Sequence, residues 1–261
     1  MSESVKIRRN GRIFELTLDR PKANAIDVPT SIAMGEAFRS FRDDPELRVA
    51  IVTGGGEKFF SAGWDLKSAT ETGEAPDVHY GVGGFGGLQE LLDLNKPVIA
   101  ALNGMTVGGG FELALSADIL IAAEHVRFAL PEIRAGTLAD AATIKLPKRI
   151  PYHIAMDMLL TGRWMEAAEA KHYGLVNEIV PASQLMDRAR EIAGRLAEGP
   201  PLVFAAIKEV VREAEDRNFQ DAMALVNRRK LRTVETLYGS EDQKEGPRAF
   251  AEKRAPIWKG R

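Results

Sequence analysis

The chain has 261 residues, of which 45% are hydrophobic and 28% charged, with a formal net charge of −2. That balance suits one large globular domain, or one domain with a smaller companion, and excludes disordered and fibrous classes. The absence of cysteine excludes disulfides, Cys-ligated zinc, iron–sulfur clusters and a thiol nucleophile, and the near-neutral charge offers no global field for nucleic acid.

The opening MSESVKIRRNGR lacks the apolar core of a signal peptide. No apolar run approaches the ~20 residues of a membrane helix. The expectation is a cytoplasmic protein that engages neither membrane nor nucleic acid. Val5 and Ile7, then Phe14, Leu16 and Leu18, alternate with polar residues on either side of Asn10-Gly11, which predicts a hairpin. Pro21 ends the second strand. Apolar residues at helical spacing (Ile32, Ala33, Ala37, Phe38, Phe41) predict a helix from about Pro29 to Asp44.

RVAIVTGGG (48–56) is a β-branched run stopped by glycines. A helix is expected to start near Trp64, followed by a stretch without a clear period, 68–87. PVIAALNG (97–104) is a second buried strand, GGGFELALSA (108–117) a helix, DILIAA (118–123) a third strand and RFALPE (127–132) a short one ended by Pro131. Such alternation predicts an α/β fold with parallel strands. Beyond about 182 the pattern becomes helical, with helices expected over 182–198, 201–215, 218–235 and 240–252. The expected division is an α/β core over 1–195 and a C-terminal helical region over 196–261.

Three segments could carry chemistry. In GMTVGGGFELAL (104–115) adjacent glycines open a helix after a strand, so its first N–H groups can face an anion or oxyanion. Glu112, among Phe111, Leu113 and Ala114, would gain proton affinity from apolar company. The same run also suits a tight packing turn with a solvated glutamate. In FFSAGWDLK (59–67), Gly63-Trp64 could bring a second N–H to the same point, or Trp64 could simply be core. In RFALPEIRAG (127–136), Pro131 fixes a turn that could aim Glu132 at the cleft of Glu112, although an exposed glutamate is the ordinary outcome. GVGGFG (81–86) fits G-x-G-x-x-G by letter, but it neither follows a strand nor opens a helix, so it predicts no dinucleotide site. His79, His125, His153 and His172 lack metal-ligand spacing.

Together these segments resemble the crotonase, or enoyl-CoA hydratase/isomerase, superfamily. The resemblance runs from LTLDRPKANAID through VAIVTGGGEKFFSAGWDLK, KPVIAALNGMTVGGGFELALSAD, FALPE and LTGRWMEAAEAKHYGLVNEIV to EGPRAFAEKR. It implies a spiral of repeated ββα units with a C-terminal helical trimerisation region. It implies an oxyanion hole from the N–H groups of Trp64 and Gly109, with Glu112 and Glu132 as the acid/base pair of a hydratase. Ala23, Ala62, Asp65 and Leu66 correspond to contacts with the adenine end of coenzyme A, and Phe250 and Lys253 to late contacts supplied by a neighbouring subunit. Coenzyme A is part of the substrate. No cofactor or metal is implied, and the assembly is a homotrimer or a pair of trimers.

RPKANAID, GEKFFSAGWDLK, GGFELALSAD and EGPRAFAEKRAPIWKGR resemble most a branch whose acyl thioester ends in a trimethylammonium, which Trp64 could face as a cation–π partner. The sequence departs from the family at 136–143. GTLADAAT stands there in place of Gly-x-x-Pro-x-x-Gly-Gly, and Asp140 falls where some members carry an acidic residue. Isomerase, decarboxylase and thioester hydrolase activity, or non-catalytic acyl-CoA binding, are the alternatives.

Overall fold

The computed structural model describes residues 4–73 and 78–261. β1 (Val5–Asn10) and β2 (Ile13–Leu18) form an antiparallel hairpin in which Asn10 pairs with Ile13. The loop is therefore Gly11-Arg12, one residue later than the Asn-Gly pair, and Gly11 at φ +56° takes its first position. β3 (Ala25–Ile26) leads into α1 (Val28–Asp43). Asp27 caps that helix by accepting the Thr30 N–H at 2.9 Å. Pro29 sits in the first turn, where no donor is needed.

A three-part unit then repeats. β4 (Val49–Gly54), β5 (Phe59–Ser61), β6 (Gly63–Trp64) and α2 (Leu66–Thr72) are followed by β7 (Val98–Leu102), β8 (Met105–Val107) and α3 (Gly109–Ala114). Next come β9 (Ile119–Ala123), β10 (Arg127–Ala129), α4 (Glu132–Ala135) and α5 (Asp140–Lys145). In each pass the first strand joins one sheet, the second joins another, and a helix closes the turn. α6 (Tyr152–Thr161), β11 (Met165–Glu166), α7 (Ala167–His172) and β12 (Glu178–Val180) complete both sheets. The larger sheet has the order β1-β2-β4-β7-β9-β12 and is parallel from β2 onward. The smaller has the order β11-β10-β8-β5, and β3 pairs separately with β6.

β4 and β7 are buried along their whole length, as expected of central strands in a sheet covered on both faces. β2 is covered in the same way, so Glu15 on it is buried rather than solvated. α8 (Leu185–Ala197) packs over this sheet through Ala189 and Ala193 and supplies the partner. Arg190 donates to both carboxylate oxygens of Glu15, at 2.8 and 2.9 Å, and holds that carboxyl below its usual range.

The rest of the chain is helical: α9 (Pro201–Ala214), α10 (Phe219–Asn227), α11 (Arg232–Gly239) and α12 (Asp242–Glu252). The single helix expected over 218–235 is two helices, broken where Arg229 turns to φ +50°. The main core extends from Val5 to Ala197, and a separate small cluster holds Ala206, Leu231 and Val234. Of the stretch 68–87, residues 74–77 lie outside the described residues, 68–72 belong to α2, and Phe85–Gly87 forms a 3-10 turn on α1.

Candidate active site

The turn from β8 into α3 is built so that other groups can lie on its backbone. Gly108 has φ +55°, and a Cβ there would fall 2.7 Å from Glu132 Oε1. On Gly109 a Cβ would fall 2.3 Å from the Phe85 ring. Gly63, at φ +82°, brings β6 so close that a Cβ would lie 2.6 Å from the Gly109 nitrogen. As the first helical residue, Gly109 has no acceptor for its N–H within α3.

Segment 62–65 is anchored on 23–26. Ala62 N–H donates to the Ala23 carbonyl at 2.9 Å and Asp65 N–H to the Ile26 carbonyl at 3.0 Å. Backbone groups alternate along a strand, so the N–H of Trp64 points away from β3. α3 packs against β6.

Glu112 lies one turn into α3 between fully buried neighbours and is itself 7% exposed. Burial raises its proton affinity, and Asp140 adds to this. Opposing them, Ala142 N–H donates to Glu112 Oε1 at 2.9 Å. Glu132 opens α4, and its Oε2 is buried with no hydrogen-bond partner among the described residues. Its pKa is raised to about 7, first by burial and then by the charges of Glu112 and Asp140.

These groups line a cavity in two lobes. The first, about 240 Å³, is lined by Trp64, Gly109, Glu112, Glu132 and Asp140, with Tyr80, Phe85, Gln89 and Glu90. The second, about 330 Å³ and mostly apolar, is lined by Ala62, Leu66, Gly108, Pro131 and Arg134. Trp64, Gly109, Glu132 and Thr137 line both and form the waist between them.

Ala23 reaches the cavity only through its bond to Ala62. The Asp65 side chain is engaged by the fold. It caps α2 by accepting from Ser68 N–H at 3.1 Å, and it pairs with Arg20, which also holds Asp27. Phe250, 88% exposed, and Lys253 stand at the end of α12 and line neither lobe.

Tyr80, Phe85, Glu90 and Arg134 were not singled out in the sequence. Phe85 lies within GVGGFG, and its neighbours show what the glycines do. Ser31 Oγ donates to the Gly84 carbonyl at 3.0 Å and accepts the Gly86 N–H at 2.8 Å. A Cβ on Gly87 would lie 2.2 Å from the Gly35 nitrogen. The run is a close approach to α1 that lays Phe85 on Gly109.

Known proteins resemble this chain over its full length. Two curated relatives are each covered over their full length and cover the full length of this chain. One, from Salmonella typhi, is 56% identical over 262 residues, and the other, from Salmonella arizonae, is 58% identical over 261; both are named carnitinyl-CoA dehydratase. The crystal structure of an enoyl-CoA hydratase from Mycobacterium tuberculosis superposes with a TM-score of 0.89 at 36% identity, covering 100% of both chains. Residues 8–261 match the enoyl-CoA hydratase/isomerase family. With the ββα spiral, the two sheets and the full-length identity in agreement, the chain belongs to the enoyl-CoA hydratase/isomerase family.

Proposed function

We propose that the protein is a hydro-lyase that interconverts carnitinyl-CoA with crotonobetainyl-CoA and water. The observation that carries this reading is the pair Glu112 and Glu132. Both have raised proton affinity, and they line one lobe together with Gly109 at the open start of α3. The substrate identity follows the names of the relatives.

The thioester oxygen sits between the N–H groups of Trp64 and Gly109, donors already oriented for the negative charge that develops there. In dehydration a carboxylate takes the proton from Cα and a carboxylic acid gives one to the departing β-hydroxyl, so the hydroxyl leaves as water and the Cα–Cβ double bond forms. Hydration reverses each transfer. A pKa of about 7 lets Glu132 hold or release a proton near neutral pH. The second lobe, with Ala62 and Leu66, takes the coenzyme, which reaches Ala23 and Asp65 at its adenine end.

The assembly is a trimer, or a pair of trimers, in the cytoplasm, in which Phe250 and Lys253 of one copy complete the coenzyme site of the next. Rates of hydration for a panel of enoyl-CoA thioesters, with and without a quaternary ammonium tail, test the reaction. Turnover of crotonobetainyl-CoA supports it, and no turnover of any enoyl thioester removes it.

A further inference from the structure

The two lobes of the cavity differ in charge as well as in shape. The α4 lobe has Arg134 on its lining and, among the described residues, no carboxylate other than the shared Glu132. The opposite lobe adds Glu90 and Asp140 to the two central glutamates, and no Lys or Arg lines it among the described residues. Neither Glu90 nor Asp140 has an ion-pair partner among those residues. A Cβ on Gly84 would lie 2.5 Å from Glu90 Oε1, so the carboxylate rests directly on glycine backbone. Glu90 N–H donates to the Gly83 carbonyl at 2.9 Å and holds the residue in place. Asp140, the first residue of α5, lines the lobe together with Glu112 and Glu132.

The same lobe is walled by aromatic rings. Tyr80 and Phe85 meet edge to face, with centroids 5.2 Å apart and an interplanar angle of 79°. Trp64 lines the waist. Three buried polar atoms of the lining, Trp64 Nε1, Gln89 Nε2 and Glu132 Oε2, have no partner among the described residues. Aromatic faces beside unpaired carboxylates stabilise a cation that cannot donate hydrogen bonds. A neutral tail would gain only apolar contact from the rings, and an anionic one would be repelled by the carboxylates.

We propose that this lobe is a cation subsite, in which Trp64, Tyr80 and Phe85 with the carboxylates of Glu90 and Asp140 receive a quaternary ammonium at the end of the acyl chain. The assignment rests on the reading of the cavity as an acyl-CoA site, and it adds the residues that select the tail. The charge division also sets the direction of binding: the anionic coenzyme lies toward Arg134 and the cationic tail lies toward Glu90 and Asp140. In the reverse direction both ends would meet like charge. A bound cation beside Glu112 and Glu132 also favours their ionised forms over the protonated ones.

Calorimetric binding to the whole protein tests the subsite without requiring turnover. The probes are 4-trimethylammoniobutyryl-CoA and its neutral isostere 5,5-dimethylhexanoyl-CoA, which differ by one charge at constant shape. The expected result is about tenfold tighter binding of the charged thioester, shrinking as salt rises. In the double variant Glu90→Gln, Asp140→Asn that ratio is expected to fall toward one through weaker binding of the charged thioester. Equal binding of the two probes by the unsubstituted protein overturns the subsite, and so does a ratio that survives both substitutions. The salt dependence in the unsubstituted protein keeps the test intact if the variant does not fold. Failure of both thioesters to bind overturns the acyl-CoA reading itself. Tight binding without turnover of any enoyl thioester removes the hydro-lyase reading and leaves the subsite supported.

Discussion

Glu132 keeps a carboxylate oxygen buried without a donor among the described residues, and the folded chain is stabilised least where that group is ionised. Unfolded, it would titrate near 4.3, the ordinary glutamate value; folded, it holds its proton up to about 7. The folded state therefore binds more protons across that window, so this group's contribution to stability falls as pH rises through it. Glu132→Gln has no ionised form. Relative to the parent, its melting temperature is expected to be nearly unchanged at pH 4 and higher at pH 8, by the equivalent of about 3 kcal/mol. The same offset at both pH values would show that burial does not hold this proton. The activity should move the other way. Glu112→Gln and Glu132→Gln are each expected to lower turnover by ~10²–10⁴-fold, and parent-level turnover in either removes that residue from the chemistry. At this scale the sequence was readable where apolar neighbours announce the environment, as Phe111, Leu113 and Ala114 do around Glu112. It was not readable where the environment comes from far along the chain. Nothing near Glu15 signals Arg190, and nothing near Gly109 signals Phe85.

The helix α5 has no side chain of its own at the capping position. Ala139 stands there, buried, and part of the first turn is satisfied from another element, with Ala142 N–H donating to Glu112 at 2.9 Å. The departure at 136–143 thus has a consequence for the site. A helix without a local cap leaves an N–H for a carboxylate that would otherwise be pushed further toward its neutral form. Ala139→Ser supplies a competing acceptor. The pH at which Glu112 loses its proton is expected to rise, moving that limb of the pH–rate profile upward, while the melting temperature does not fall. An unmoved limb would mean that the Ala142 N–H does not tune Glu112. Long elements were legible from periodicity, as α1, β4 and β7 show. β5, β6 and β8 were not, because two or three residues cannot display an alternation. The break between α10 and α11 rests on the positive φ of Arg229, a conformation that sequence pattern does not reveal in an arginine.

The molecule as a whole buries its main core and its C-terminal helices unequally. The core from Val5 to Ala197 is continuous, whereas α9–α12 enclose only a small cluster around Ala206, Leu231 and Val234. This region leaves Phe219 at 74% and Phe250 at 88% exposed, with Ile207, Val211 and, beyond α12, Ile257 also open to solvent. Large apolar side chains grouped on one region are ordinarily covered by a partner, and each exposed ring that becomes buried contributes about 1.5–3 kcal/mol. The proposed trimer covers them with neighbouring copies. The expected mass by sedimentation is therefore three copies or six, and the melting temperature should rise with protein concentration, because association stabilises only the folded chain. Phe250→Asp places a charge where an apolar contact is required. It is expected to shift the mass toward a single copy and to raise KM for CoA thioesters several-fold. Its far-ultraviolet circular dichroism should stay that of the parent, because Phe250 belongs to neither core cluster. A parent protein that sediments as one copy at micromolar concentration would remove the shared coenzyme site, and a trimeric Phe250→Asp with unchanged KM would place the contact elsewhere on α9–α12.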